Sequence, residues 1–178
     1  KVAVATFNLT GQFEDVSVLG LHMYENLTNC TAAPYARYLL DKDVVSPDDL
    51  ADAVDLIRLS EDQFVYWDFL PGKDGIKPFC APCVFEQYKY EMAVDNSSCN
   101  VANAYLSLYE ETGDLLAYAK GKALIDNLTI VQDQITGRIP TLLEFRGRMK
   151  EYNTFFWINC CVASIQTLLR MDKITNNE

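Results

Sequence analysis

Gly113-Asp114 restricts the fold of this chain more than any other pair of residues. A glycine supplies the left-handed residue on which helices stop, and an aspartate directly after it caps the next helix. Two helices joined with no linker must fold back on one another, so the dipeptide marks an αα-hairpin. Its flanks agree. Upstream, Val101, Ala104, Tyr105 and Leu108 keep helical spacing from a start near Ser97 or Ser98. Downstream, Leu116, Ala119, Ala123, Leu124, Leu128 and Val131 do the same to about Gln132. Gly121 lowers helix propensity there and reads as a point of close packing. Gly137 and Pro140 break the chain again.

The same punctuation recurs. Thr31 can cap a first helix carrying Ala33, Tyr35, Ala36, Leu39 and Leu40. Ser46-Pro47-Asp48-Asp49 opens a second, with serine at the cap, proline at the first position and two acids against the macrodipole. Leu50, Val54, Ile57, Glu61 and Phe64 then share a face, and Pro71 to Gly75 forms a loop. A last helix opens at Asn153 or Thr154 and keeps Trp157, Cys161, Ile165, Leu168 and Leu169 in register. The expected class is all-α. An N-terminal arm, 1–30, holds the short extended stretch Val2 to Phe7. The helical domain spans 31–178, with hairpins at 31–70 and 96–133 and a single helix at 153–173. Leading helices recur about every sixty residues, an irregular structural repeat.

Composition narrows the function. With 178 residues, 49% apolar and 22% charged, the chain is one domain able to bury a core. A net charge of −10 with no basic stretch argues against nucleic acid. No apolar run reaches the ~20 residues a membrane helix needs, so insertion is not expected. The single histidine, His22, removes sites that need two. No Gly-rich phosphate loop, GxSxG elbow or HExxH occurs, and no cofactor is expected.

Six cysteines include Cys80-Ala81-Pro82-Cys83 and the adjacent Cys160-Cys161. Adjacent cysteines fit a zinc knuckle poorly, so free thiols are favoured, a disulfide comes next, and no metal is assigned. Cys160 and Cys161, on successive positions of one helix, should face different directions. Five N-x-[ST] sequons, at Asn8, Asn26, Asn29, Asn96 and Asn127, exceed the roughly one expected by chance. They favour a secreted or periplasmic chain, although Asn127 falls inside a helix.

Leu108-Tyr109-Glu110-Glu111-Thr112-Gly113-Asp114, then Ala119 to Asp126, then Gly137-Arg138-Ile139-Pro140-Thr141, resembles the hairpin of α/α-toroid, six-hairpin glycosidase-like proteins. Their pattern is roughly LYxxTGD, a few residues, AxxLAxxL and a GxxP break. Trp157-Ile158-Asn159-Cys160 resembles the opening of their next inner helix, and Ala36 to Leu40 with Glu61 to Val65 an earlier hairpin. The likeness covers about three-quarters of the chain and speaks more for fold than for reaction. It implies a partial (α/α) toroid of two and a half hairpins. Such a chain is the C-terminal part of a longer protein or a reduced, open form. The implied function is a carbohydrate-active domain, hydrolase- or lyase-like, acting on an oligo- or polysaccharide. Its partner would be the remaining part of its toroid or a second copy. The alternative is a non-enzymatic, secreted helical glycoprotein that binds another protein.

If the leading helices run in one sense, their N-terminal ends share a rim. That rim collects His22, Tyr24, Tyr88, Arg138 and Trp157 as candidate substrate-binding groups. Rings stack on a pyranose face while polar groups bond its hydroxyls. Glu86 and Asp95 are the candidate catalytic pair, since glycosyl hydrolysis needs two carboxylates about 5–9 Å apart. The plainer readings are a solvated loop acid and a cap residue. For His22 the plainer reading is a loop histidine, and for Trp157 a core position. Glu61-Asp62 reads as an exposed helix face.

Overall fold

Ser46 and the pair Gly113-Asp114 are bonded helix caps in the computed structural model, which describes residues 32–68, 81–86, 93–141, 143 and 158–176. The elements are α1 (Ala32–Leu40), α2 (Pro47–Phe64), β1 (Val65–Tyr66), β2 (Cys83–Val84), α3 (Asp95–Thr112), α4 (Leu115–Val131) and α5 (Ile158–Asn176). At α2 the Ser46 hydroxyl accepts the Asp49 N–H at 3.1 Å, and Asp49 accepts the Ser46 N–H at 3.3 Å, a reciprocal capping box. Gly113, at φ 72°, ends α3 by donating its N–H to Tyr109 O at 2.7 Å. Asp114 then caps α4 by accepting the Leu116 N–H at 2.8 Å. The fold is all-α, with only a two-stranded antiparallel ribbon beside the helices among the described residues, Val65 opposite Val84. The expected arm, 1–30, and the opening of the last helix at 153 or 154 lie outside the described residues.

α3 begins earlier than Ser97. Residues 93 and 94 are held extended first: Val94 N–H bonds Val84 O at 3.1 Å, and Asp95 N–H bonds Thr141 O at 3.0 Å. The helix therefore starts where those bonds end. Val94 caps it without a side-chain bond, and Ser98 donates back to Val94 O at 3.2 Å.

The helices make two layers. α1 packs on α3 and α3 on α5, forming a row, while α2 and α4 pack as the second members of their hairpins. The main core joins Leu56, Phe64, Leu106 and Leu124 between these layers. A second cluster, with Phe85, Leu128, Val131 and Ile139, lies beneath the start of α3. Gly121 is the close approach the sequence implies. A Cβ there would sit 3.2 Å from Ala102 O and 3.3 Å from Tyr105 Cβ. Overpacking costs about 1–3 kcal/mol, against a helix-propensity gain of about 1. Gly121→Ala should therefore lower stability by about 1 kcal/mol in denaturant titration; a more stable variant would contradict the packing.

A polar seam gives the row its direction. Asp95, Cys99, Asn103 and Ser107 repeat every fourth residue on α3 and face α5. Ser164 donates to Asp95 Oδ2 at 3.0 Å, Cys99 to Ser164 at 3.5 Å, and Asn103 to Thr167 at 2.7 Å. Arg170 Nη1 donates to both oxygens of Asn103 at 3.1 Å, and Nη2 to Ser107 at 2.8 Å. Residue numbers climb together on both helices, so α3 and α5 are parallel. Ser107 also donates to Asp41, just past α1, at 2.6 Å, which sets α1 in the same sense.

The expected apolar register of α5 is corrected by this seam. Cys160, Cys161, Ser164, Thr167 and Met171 are buried, while Ile165 and Leu169 are exposed. Counting apolar residues selected the outer stripe, because the packed face is small and polar. Cys83, Cys99, Cys160 and Cys161 are all buried.

Candidate functional site

The N-terminal end of the row is built from four extended pieces that converge on the start of α3. Phe85 N–H bonds Phe64 O at 2.9 Å and pairs antiparallel with Ala93. Leu143 N–H bonds Ala93 O at 2.9 Å, bringing the chain after α4 to the same place. Glu86 leaves this platform half-buried. Arg138 sits on the adjoining loop, whose turn is closed by Asp133 N–H to Arg138 O at 2.8 Å and by Gly137 at φ 70°. Glu86, Asp95 and Arg138 are thus assigned to one end of the molecule. His22, Tyr24, Tyr88 and Trp157 lie outside the described residues.

Asp95 does not meet solvent. It is 0% exposed, with Oδ1 accepting the Asn96 N–H at 2.7 Å and Oδ2 accepting the Ser164 hydroxyl. Burial pushes its carboxyl up to about 6, although Asn96, Ser164 and the Cys160 thiol all favour the charged form. A carboxylate enclosed in this way cannot touch a saccharide. It is corrected from a catalytic partner of Glu86 to a group that positions α3 against α5.

Cys160 feels both carboxylates. Its thiol is pushed up to about 11, by burial first and then by the charges of Asp95 and Glu86. Cys99 is pushed up to about 11 by burial as well. Neither is a thiolate nucleophile near neutral pH. Among the described residues no group of three His, Cys, Asp or Glu side chains is arranged to hold a metal ion.

Two cavities of about 410 Å³ flank α3 on opposite sides. One lies between α2 and α4 and ends at Glu61, which is not the exposed acid the sequence implied. Lys120 Nζ reaches both Glu61 oxygens at 2.6 and 2.8 Å, Tyr105 OH donates at 2.6 Å and Trp67 Nε1 at 3.1 Å. Burial alone would raise the Glu61 carboxyl, but Lys120, Tyr105 and Trp67 together hold it below the usual range. The same burial and the Glu61 charge push the Tyr105 hydroxyl well above its ordinary value. Lys120 also lies 5.6 Å from the centroids of the Trp67 and Tyr105 rings. No sequence spacing announces this group, since its members come from three helices and the ribbon. The second cavity opens between α1, α3 and α5 and is lined by Arg37, Asn100, Asn103, Gln166 and Arg170 among others.

Asn127 is 1% exposed, and its side chain donates to Pro82 O at 2.8 Å. A glycan cannot be carried there in the folded protein. Among the described residues no helix is long and apolar enough to cross a membrane. Comparison of the chain with protein-family models, curated proteins and solved structures found no match.

Proposed function

We propose that the chain is a carbohydrate-active domain of α/α-toroid type, acting on an oligo- or polysaccharide at the end where α1, α3 and α5 begin. The observation that carries the reading is the parallel row itself: it brings the Glu86 loop and the Arg138 loop to one rim. Glu86 is the carboxylate that meets the saccharide, as general acid or base, and Arg138 bonds its hydroxyls. Asp95 fixes the platform beneath. Secretion or periplasmic placement goes with this reading, as polysaccharides are extracytoplasmic substrates.

A panel of oligosaccharides tests it, read by binding and by release of reducing or unsaturated ends. Glu86→Gln should abolish release, a loss of roughly 10²-fold or more for a general acid, with the melting temperature nearly unchanged. Full activity in that variant would remove Glu86 from the reaction. Binding of no saccharide would remove the reading.

A second reading, a non-enzymatic helical protein that binds another protein or a further hairpin of the same kind, is favoured by one feature. Ile158, Val162, Ile165 and Leu169 make an exposed stripe on α5, at 64%, 43%, 48% and 58% exposure. A monodisperse monomer in sedimentation, unchanged by Ile165→Lys with Leu169→Lys, would count against it.

A further inference from the structure

Resting on the carbohydrate reading, we infer that the cavity between α1, α3 and α5 is a subsite for the anionic group of an acidic sugar, a carboxylate or a sulfate ester. It lies on the side of α3 away from α2 and α4: Asn103 is about half a helical turn around from Tyr105 and Leu108, which line the opposite cavity. Asn103 is eight residues along α3 from Asp95, so the subsite stands ~12 Å below the rim, within reach of a neighbouring sugar unit of the same chain.

The chemistry of the walls selects the ligand. The lining contains two guanidiniums and three amides, but neither a carboxylate nor an aromatic ring. A neutral pyranose site uses rings for the apolar face and carboxylates for the hydroxyls, and both are missing from this lining. A guanidinium fork with amide donors is the arrangement that takes an oxyanion.

The two arginines have different tasks. Arg170 is spent on the protein, donating to Asn103, Ser107 and Glu110. Arg37 is held at one point only among the described residues, its Nε donating to Asp41 Oδ2 at 2.8 Å. That bond orients the guanidinium and leaves the terminal nitrogens for a ligand. Asn100 on α3 and Gln166 on α5 make no side-chain bond to another described residue, and they offer their amides from opposite walls. Arg37 is thus the charge, and Asn100 and Gln166 complete the fork.

The test titrates the full chain with neutral oligosaccharides, uronate-containing oligosaccharides, sulfated oligosaccharides and inorganic sulfate. Acidic saccharides should bind more tightly than neutral ones of equal length. Arg37→Gln should weaken them roughly tenfold or more while leaving neutral binding unchanged, the expected loss of a charge-assisted contact. Gln166→Glu, an exposed substitution that puts a like charge against the ligand, should do the same. The uronate and sulfate arms decide which anion is taken. Equal binding of acidic and neutral sugars, with no effect of either variant, would overturn the subsite and leave the carbohydrate reading standing. Arg37-dependent binding of inorganic sulfate with no saccharide bound would do the reverse. No binding in any arm would overturn both.

Discussion

Between about pH 4 and pH 6 the wild-type protein is expected to lose stability on the order of 3 kcal/mol that its Asp95→Asn variant keeps. The sign follows from the direction of the shift. The Asp95 carboxyl is raised from 3.8 to about 6 in the folded protein, so the folded state holds a proton that the unfolded state has released. Its contribution is complete below pH 3.8, falls away as pH rises through the window, and is gone above about 6. Asp49, Asp133 and Glu61 are shifted the other way, by Lys42, Thr136 and Lys120 among their partners, and give the whole protein an opposing slope. Subtracting the two unfolding curves isolates Asp95. The groups facing it are Asn96 and Cys99 of α3 and Ser164 and Cys160 of α5, all kept in the variant. A pH-independent difference between the two proteins would mean that the carboxyl is solvated.

Arg170→Met should cost about 3 kcal/mol, because the chain volume is kept while its bonds are lost. Asn103, 8% exposed, then has a side-chain oxygen without its donor, its backbone oxygen keeps only the helical bond, and Ser107, 2% exposed, loses a donor as well. Glu110 and Asp41 lose their opposite charge at the same time. A double-mutant cycle with Asn103→Leu should show coupling, since the second change removes the side-chain acceptor that the first leaves bare. Additive effects, or a loss below about 0.5 kcal/mol, would mean that the seam does not hold α3 to α5.

The hairpins were legible because caps are local. Ser46 with Asp49, and Gly113 with Asp114, need only their own neighbours to act, so spacing in the sequence announces them. α3 starts two or three residues before the serines because its first N–H, that of Asp95, is satisfied by Thr141 O, a tertiary bond that no local cap signal announces. The seam between α3 and α5 went unread for another reason. Its fourfold spacing, 95, 99, 103 and 107 against 160 and 164, is present in the sequence, but hydrophobic periodicity is blind to polar residues that satisfy one another. Glu61 was taken for a solvated acid because its partners Lys120 and Tyr105 are distant in sequence. The rim was half legible. Parallel leading helices place Glu86 and Arg138 together, whereas the burial of Asp95 depends on Ser164, which no local pattern connects to it.

Amide hydrogen exchange with the tightest-binding oligosaccharide of the panel locates the site directly. Protection is expected at 84–86, 93–97 and 138–143, the segments that meet at the start of α3, with little change along α2. Protection confined to the cavity between α2 and α4, or to the exposed stripe of α5, would contradict a saccharide site at the end of the parallel row.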